Sequence, residues 1–121
     1  MITLLVVVGA ALGAPARYVG DVLITARTDE SFPYGTLTVN VVGSFLLGLV
    51  TGLALHHGLS SSWQALVGTG FCGTLTTYST FSVEAAGLLR DGRPVAAAAN
   101  VLGSAAAGLL AAAAGLGLAL V

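Results

Sequence analysis

A run of glycine and hydroxyl-bearing residues interrupts one of the long apolar segments of this chain. Residues 68–84 read GTGFCGTLTTYSTFSVE, and apolar sequence lies on either side of this run. In hydrocarbon, backbone groups must be satisfied internally, so an interrupted helix is stable only where it is buried in protein or lines a wet cavity. Discontinuous membrane helices use their free carbonyl and N–H groups to bind ions near the bilayer midplane. The stretch therefore predicts a broken transmembrane helix that handles an ion.

Two other interpretations of this stretch compete with the first. The segment from Gly68 to Gly73 matches the spacing G-x-G-x-x-G, but that fingerprint requires a preceding strand in a βαβ unit. Here an apolar, helix-like run precedes it, and no alternating strand pattern lies nearby. Small residues also allow close packing between membrane helices. The packing interpretation stays open on composition alone, although the density of hydroxyl groups favours an ion path.

The rest of the chain has too few charges to cover the surface of a soluble domain. It holds four basic and five acidic side chains in 121 residues, and 56% of its residues are hydrophobic. Soluble domains carry about 25% charged residues. We therefore predict an all-α integral membrane protein with one membrane domain over residues 1–121. Its four transmembrane helices are predicted at about 3–25, 34–56, 63–89 and 95–120, each long enough to cross a bilayer, with the third broken at its centre.

Composition also excludes several classes of function. The net charge of −1 gives no electrostatic basis for nucleic-acid binding. The single cysteine, Cys72, excludes a disulfide framework or a cysteine metal site within one subunit. No set of serine, histidine and carboxylate residues falls within the predicted spans, so we do not expect an enzyme.

The first predicted span carries a face for close helix contact and a charge. Gly9 and Gly13 form a Gly-x-x-x-Gly pattern, which lets a second helix approach closely. Arg17 and Asp21 are four residues apart, so they share one helix face and can pair. An intramembrane charge is functional by default, whereas a charge near a helix end can reach the interface. We expect Arg17 to be a structural charge.

Two other predicted spans carry polar stripes. Thr36, Asn40 and Ser44 recur at helical spacing in the second span. The Asn40 amide brings two donors and an acceptor, and leaving them unpaired in hydrocarbon would cost several kcal/mol. Two interpretations stay open for Asn40, an interhelical hydrogen bond and an amide that faces a pore. Asn100 and Ser104 repeat the polar stripe on the fourth span.

Three segments together resemble one family, the Fluc (CrcB) fluoride channels. The resemblance is carried by GAALGAPARY at residues 9–18, GTLTVNVVGSF at 35–45 and GFCGTLTTYSTFS at 70–82. The last segment is similar to the broken-helix signature of the family, usually written T-T-F-S-T-F. The match covers essentially the whole chain, with four spans in the right order.

The resemblance implies an antiparallel dimer with two fluoride pores and a structural sodium ion on the two-fold axis. By position, the main-chain carbonyls of Gly73 and Thr76 from both subunits would hold the sodium. Asn40, Tyr78 and Phe81 would face the pore. The remaining polar residues that the resemblance assigns to the ion path are Ser79, Thr80, Ser104, Asn100 and Glu84.

The implied function is passive fluoride export across the cytoplasmic (inner) membrane, which would give fluoride resistance. Fluoride is small and tightly hydrated, so a pore must replace its water with donors such as the Asn40 amide and hydroxyl groups. The positive edges of aromatic rings can help. Tyr78 departs from the usual signature because it adds a hydroxyl where the family has a bare ring. This departure leaves the details of anion contact at Tyr78 open.

Two other functions compete with a fluoride channel. A small four-helix, proton-coupled multidrug or ion exporter has a similar length, but it would be expected to carry a membrane-embedded glutamate in its first helix. A membrane assembly subunit held by small-residue faces would conduct no ion at all. Passive conduction needs no proton-coupling carboxylate in the first span, and this feature favours the channel.

The arginines predict an orientation. Arg27, Arg90 and Arg93 fall in the first and third predicted loops, and the opposite side has no lysine or arginine. The positive-inside rule therefore places these two loops in the cytoplasm and both termini outside. An antiparallel homodimer requires insertion both ways. Two assemblies stay open, a dimer of this chain with itself and a dimer with an oppositely oriented paralogue.

Overall fold

The computed structural model of the chain describes residues 1–29 and 31–121, and over these residues it is helical with no strand. Glu30, which the sequence places in the first loop, lies outside the described residues. Three helices are long and apolar enough to cross a membrane. They are α1 (Ile2–Arg27), α2 (Tyr34–His57) and α6 (Pro94–Ala119).

The segment between α2 and α6 is divided into short pieces. It begins with α3 (Ser61–Trp63) and continues as a π-helix (Gln64–Cys72) into α4 (Gly73–Leu75). Residues 76–78 are not helical, and α5 (Ser79–Arg90) follows them. Extended backbone at Thr76, with φ −77° and ψ 154°, ends the first half. The interruption therefore falls inside the glycine- and hydroxyl-rich stretch.

Close approach between α1 and the π-helix depends on glycine. A Cβ on Gly9 would overlap the Leu66 carbonyl oxygen and stand 2.9 Å from the Phe71 amide nitrogen. A Cβ on Gly13 would overlap the Phe71 carbonyl oxygen and the Thr74 hydroxyl. The predicted Gly-x-x-x-Gly face is thus a contact face, and its partner is the broken segment. Packing against α1 fixes the position of the segment that leads into the break.

A second glycine contact joins α2 to α6 along most of their length. A Cβ on Gly48 would overlap the Ala112 carbonyl oxygen, and one on Gly115 would overlap the Phe45 carbonyl oxygen. The backbones of α2 and α6 are therefore in direct contact at Gly48 and at Gly115. The outer face of α6 is apolar and exposed, with Leu109 at 73% and Leu110 at 72%, which suits contact with lipid or with another chain.

The ends of the helices are tied in pairs. The Arg93 guanidinium donates a hydrogen bond to the Ser31 carbonyl, which joins the third loop to the first. At the opposite end, His57 Nε2 lies 2.6 Å from the Ala119 carbonyl oxygen. Gly58 ends α2 there in the left-handed conformation, at φ 67°, which suits glycine. The first and third loops therefore share one end of the molecule.

Candidate functional site

The helix break is held by a side chain from α2. Asn40 Nδ2 donates to the Thr77 carbonyl oxygen at 3.1 Å, and the Thr77 N–H donates to Asn40 Oδ1 at 2.7 Å. The amide thus satisfies both backbone groups of one residue that the interrupted helix leaves without partners. Of the two interpretations of Asn40, the structure shows the interhelical hydrogen bond, and its partner is the break itself.

Thr77 in turn organises the start of α5. Its hydroxyl oxygen accepts a hydrogen bond at 3.3 Å from the N–H of Thr80, the second residue of α5, and so caps one of the free donors of the first turn. The same oxygen lies 3.4 Å from Ser79 Oγ. In an uninterrupted helix the Thr80 N–H would bond the Thr76 carbonyl. The cap therefore diverts that donor away from Thr76.

A cavity of about 300 Å³ opens on one side of the break, here called the aromatic cavity. Ring centroids of Tyr78 and Phe81 lie 6.1 Å apart there, at an interplanar angle of 43°. The cavity brings together Asn40 and three other residues that the sequence assigned to the path. Its lining consists of Asn40, Ser44, Thr77, Tyr78, Phe81, Val101, Ser104, Ala105 and Gly108.

A smaller cavity of about 100 Å³ lies on the other side, here called the Arg17 cavity. It is lined by Arg17, Tyr18, Asp21, Thr36, Val39, Thr77 and Thr80. Asp21 accepts a hydrogen bond from the Thr25 hydroxyl at 3.2 Å, so its recorded partner is Thr25 and not the arginine four residues earlier. Arg17 therefore contributes its positive charge to the wall of a polar cavity. This position goes beyond the structural charge that the sequence predicts.

Glu84 lies away from the break, one turn and more along α5. Its carboxylate accepts a hydrogen bond from the Thr36 hydroxyl of α2. Thr36 is 4% exposed, so this bond satisfies a buried hydroxyl. Glu84 also lines a cavity of about 370 Å³ beside the first loop, which shares Asp21 with the Arg17 cavity. The cavity beside the first loop and the Arg17 cavity therefore lie against the same residue, Asp21.

The polar pair on α6 is only partly satisfied. Ser104 Oγ donates to Asn100 Oδ1 at 3.4 Å, and Ser104 lines the aromatic cavity. Asn100 is 2% exposed, and its Nδ2 has no hydrogen-bond partner among the described residues. A buried donor left unpaired costs about 1–3 kcal/mol. Asn100 therefore has an unpaired N–H donor, one turn of α6 away from Ser104.

The two carbonyls that the sequence assigned to sodium have lost their helical donors. The Thr77 N–H, which an unbroken helix would direct to the Gly73 carbonyl, donates to Asn40 instead. The Thr80 N–H donates to the Thr77 hydroxyl and not to the Thr76 carbonyl. Oxygen atoms of this kind are the ligands that hard cations prefer. The donor set fits a sodium ion, and Gly73 is exposed on the surface of the single chain.

Sequence reasoning missed Thr77, which lines both cavities and bonds to Asn40. The available signal was the pair of adjacent threonines at the centre of the stretch. Where the helix ends, its 3.6-residue period ends too, so periodicity could not show which of Thr76 and Thr77 bonds to Asn40. Thr36 was seen only as a member of a stripe, and its partner Glu84 follows 48 residues later.

These features define a class, a multi-pass membrane protein with a cavity on each side of a helix break. Within that class, the family model described as CrcB-like protein, Camphor Resistance (CrcB), matches residues 4–116. The chain belongs to this family. The resemblance drawn from the three sequence motifs is thereby confirmed.

Several relatives of this chain are named as fluoride-specific ion channels. A protein from Frankia casuarinae named fluoride-specific ion channel FluC 1 is 53% identical, over 96% of this chain and 94% of the relative. One from Streptomyces avermitilis with that name is 52% identical over 93% and 90%. A fluoride-specific ion channel FluC from Pyrococcus abyssi is 48% identical over 83% of this chain and 80% of the relative.

Proposed function

We propose that this protein is a fluoride-selective ion channel that exports fluoride passively across the cytoplasmic (inner) membrane and so gives fluoride resistance. The observation that carries the proposal is the helix break, where Asn40 pairs with the Thr77 backbone between the Arg17 cavity and the aromatic cavity. Membership of the CrcB-like family and the names of the relatives support the choice of ion. The proposed activity is transport and not catalysis.

The chemistry of the cavities suits a small, strongly hydrated anion. Hydroxyl groups, the second Nδ2 hydrogen of Asn40 and the edges of aromatic rings can each face negative charge. Arg17 adds positive charge on one side of the break. Chloride gains less from a close ring of donors than fluoride because its charge is spread over a larger ion. The pore favours fluoride if these donors compensate its larger dehydration cost, and the liposome comparison with chloride measures that difference.

Flux from liposomes tests the proposal directly. Vesicles that contain the purified protein and potassium fluoride should release fluoride when a potassium ionophore dissipates the membrane potential that anion efflux creates. Vesicles loaded with potassium chloride should release little chloride. A proton-coupled exporter would acidify or alkalise the vesicle interior as it worked. An assembly subunit would give neither signal, and wild-type protein that released no fluoride would refute the proposed function.

Phe81→Ile should lower fluoride flux by about tenfold, because it removes an aromatic edge from the wall of the aromatic cavity. An aromatic interaction is worth about 0.5–1.5 kcal/mol beyond its buried area, and 1.36 kcal/mol on a barrier is tenfold in rate. Phe45→Ile is the matched control, since Phe45 lies outside both cavity linings. Equal fluoride efflux from folded Phe81→Ile and wild-type protein would remove Phe81 from the path.

The functional unit that we propose is an antiparallel dimer of four-span subunits with two pores. The paired helix ends support four crossings, because the first and third loops share one end while the ends of α2 and α6 share the other. The interrupted segment then supplies the third span. Tyr78 is 80% exposed in the single chain. A phenol at the centre of a span requires a polar partner, which a second subunit would supply.

In this dimer, a structural sodium ion would be held by the carbonyl oxygens of Gly73 and Thr76 from both subunits. Its charge would add positive potential to a protein that has no lysine. The Thr76 side chain is already engaged, because its hydroxyl donates to the Cys72 carbonyl at 3.1 Å. A Cβ on Gly43 would overlap the Thr76 methyl group, so the side chain packs towards α2. The carbonyl is therefore the available ligand.

Thr76→Ala should leave fluoride flux within about twofold of wild type, since it keeps the carbonyl and removes one hydrogen bond worth about 1 kcal/mol. Replacing sodium on both sides of the membrane with a large organic cation should lower flux more than this substitution does. The measurement is efflux from vesicles at matched ionic strength. Abolished sodium dependence in Thr76→Ala would instead make the side chain a ligand.

The partner in the dimer is either a second copy of this chain or an oppositely oriented paralogue. The arginine bias favours one orientation, and Asp29 does little to offset it because acidic residues count little in the positive-inside rule. Labelling of a C-terminal tag in intact cells that express this chain alone decides between the two. Equal labelling inside and out, with flux from the purified chain, would exclude an obligatory paralogue.

A further inference from the structure

Two cavities of opposite character meet at one residue of the helix break. The Arg17 cavity and the aromatic cavity share Thr77, and among residues 1–29 and 31–121 no other residue lines both. We propose that Thr77 is the constriction of the ion path, where its hydroxyl hydrogen is the donor that passes a fluoride ion from one cavity to the other. This inference rests on the proposed function, and it assigns a specificity-determining residue to it.

Both backbone polar groups of Thr77 are already hydrogen-bonded at the proposed constriction. A bare carbonyl oxygen there would repel an anion, but the Thr77 carbonyl accepts a hydrogen bond from Asn40 Nδ2 at 3.1 Å. The Thr77 N–H is also consumed, by Asn40 Oδ1 at 2.7 Å. Asn40 therefore acts as a positioning residue, and its second Nδ2 hydrogen can also donate to the ion. The hydroxyl is therefore the polar group of Thr77 that can still contact an ion.

The hydroxyl of Thr77 is available to donate its hydrogen to an ion. Its oxygen accepts a hydrogen bond from the Thr80 N–H at 3.3 Å, which uses a lone pair and directs the O–H hydrogen elsewhere. Ser79 Oγ lies 3.4 Å from the same oxygen, and either hydroxyl can be the donor in that contact. This contact is long for an O–H···O hydrogen bond, whose usual length is about 2.7–2.8 Å. An anion would therefore displace it readily.

The arrangement suits an anion that moves between two environments. Arg17 attracts negative charge into one cavity, while Asn40, Ser104 and the aromatic rings receive it in the other. A partly dehydrated ion needs a donor throughout the crossing, because an apolar gap would impose the cost of an unpaired charge. Thr77 supplies that donor at the junction, and Thr80 and Ser79 hold it in place.

Three substitutions separate this role from a purely structural one. Thr77→Ser keeps the cap and the donor, and we expect flux within about twofold of wild type. Thr77→Val is isosteric and removes both, so flux should fall by at least about tenfold, as when one preorganised donor is removed from an anion site. Thr77→Asp keeps an excellent cap but has no donor when ionised and carries negative charge, so flux should fall at least as far as in Thr77→Val.

The measurement is fluoride efflux per folded protein in liposomes, with Thr38→Val as the matched control. Thr38 lies in α2, outside both cavities, and its hydroxyl bonds the Tyr34 carbonyl of its own helix at 2.8 Å. If Thr77 only capped α5, Thr77→Asp would conduct like wild type, and that result would overturn the inference. Wild-type flux from Thr77→Val would overturn it as well, while leaving the fluoride channel itself intact.

A chemical test covers the case in which Thr77→Val or Thr77→Asp does not fold. In a Cys72→Ala background, Thr77→Cys should react with a negatively charged methanethiosulfonate reagent, and the reaction should block fluoride flux. The same reagent on the Cys72→Ala parent is the control. A reacted Thr77→Cys protein that conducts as before would show that the path bypasses position 77.

Discussion

Fluoride flux should fall by about a hundredfold or more when Asn40 is replaced by alanine. The substitution leaves the Thr77 N–H and carbonyl without their partners, at about 1–3 kcal/mol for each buried group. A conduction barrier higher by about 2.7 kcal/mol corresponds to the expected hundredfold loss of rate. The exposed carbonyl would also place partial negative charge where the anion passes. Fluoride efflux from liposomes, normalised to folded protein, is the measurement.

Asn40→Asp separates the two hydrogen bonds. Aspartate keeps an acceptor for the Thr77 N–H, but when ionised it cannot donate to the Thr77 carbonyl. We expect flux as low as in Asn40→Ala, because the added charge repels the anion. Thr38→Ala, on the same helix, should retain wild-type flux because Thr38 bonds only within α2. Full flux from a well-folded Asn40→Ala protein would show that the pairing with Thr77 has no part in conduction.

Gly9→Ala should destabilise the protein by about 1–3 kcal/mol, as overpacking does in other tightly packed sites. The new methyl group would overlap the Leu66 carbonyl oxygen and stand 3.0 Å from Gly70 Cα. Both neighbours are backbone, so α1 and the π-helix would have to move apart. The loss corresponds to roughly 5–15 °C in the unfolding temperature. Thermal unfolding in detergent, followed by the loss of monodisperse protein, measures it.

The matched control is Gly103→Ala on α6. Gly103 is also helical, but a Cβ there meets nothing within 4 Å. Alanine is the better helix former by about 0.8–1.0 kcal/mol, so this variant should be as stable as wild type or slightly more stable. Equal losses in the two variants would mean that any added methyl group is harmful. Equal stability would mean that α1 and the π-helix are not in close contact.

Most residues of the candidate site could be predicted from the sequence, but only some of the contacts between them could. The stripe of Asn40 on α2 follows from helical spacing, whereas the family resemblance implied the place of Tyr78 and Phe81, and all three line one cavity. The pairing of Asn40 with Thr77 spans 37 residues of sequence, and no local pattern encodes it. The Arg17–Asp21 pair was expected from spacing alone. In the folded chain a nearer hydroxyl, that of Thr25, bonds the carboxylate instead.

The sequence by itself determined that the chain is helical and apolar, that small residues bring α1 close to a neighbour, and that a helix is interrupted near the threonine pair. These properties depend on composition and on periods of three to four residues, which are local. Only the tertiary structure decided which backbone groups the interruption leaves free. Asn40 and the Thr77 hydroxyl take the N–H groups that would have bonded to Gly73 and Thr76. That exchange depends on α2 lying against the break, which is a property of packing between distant segments.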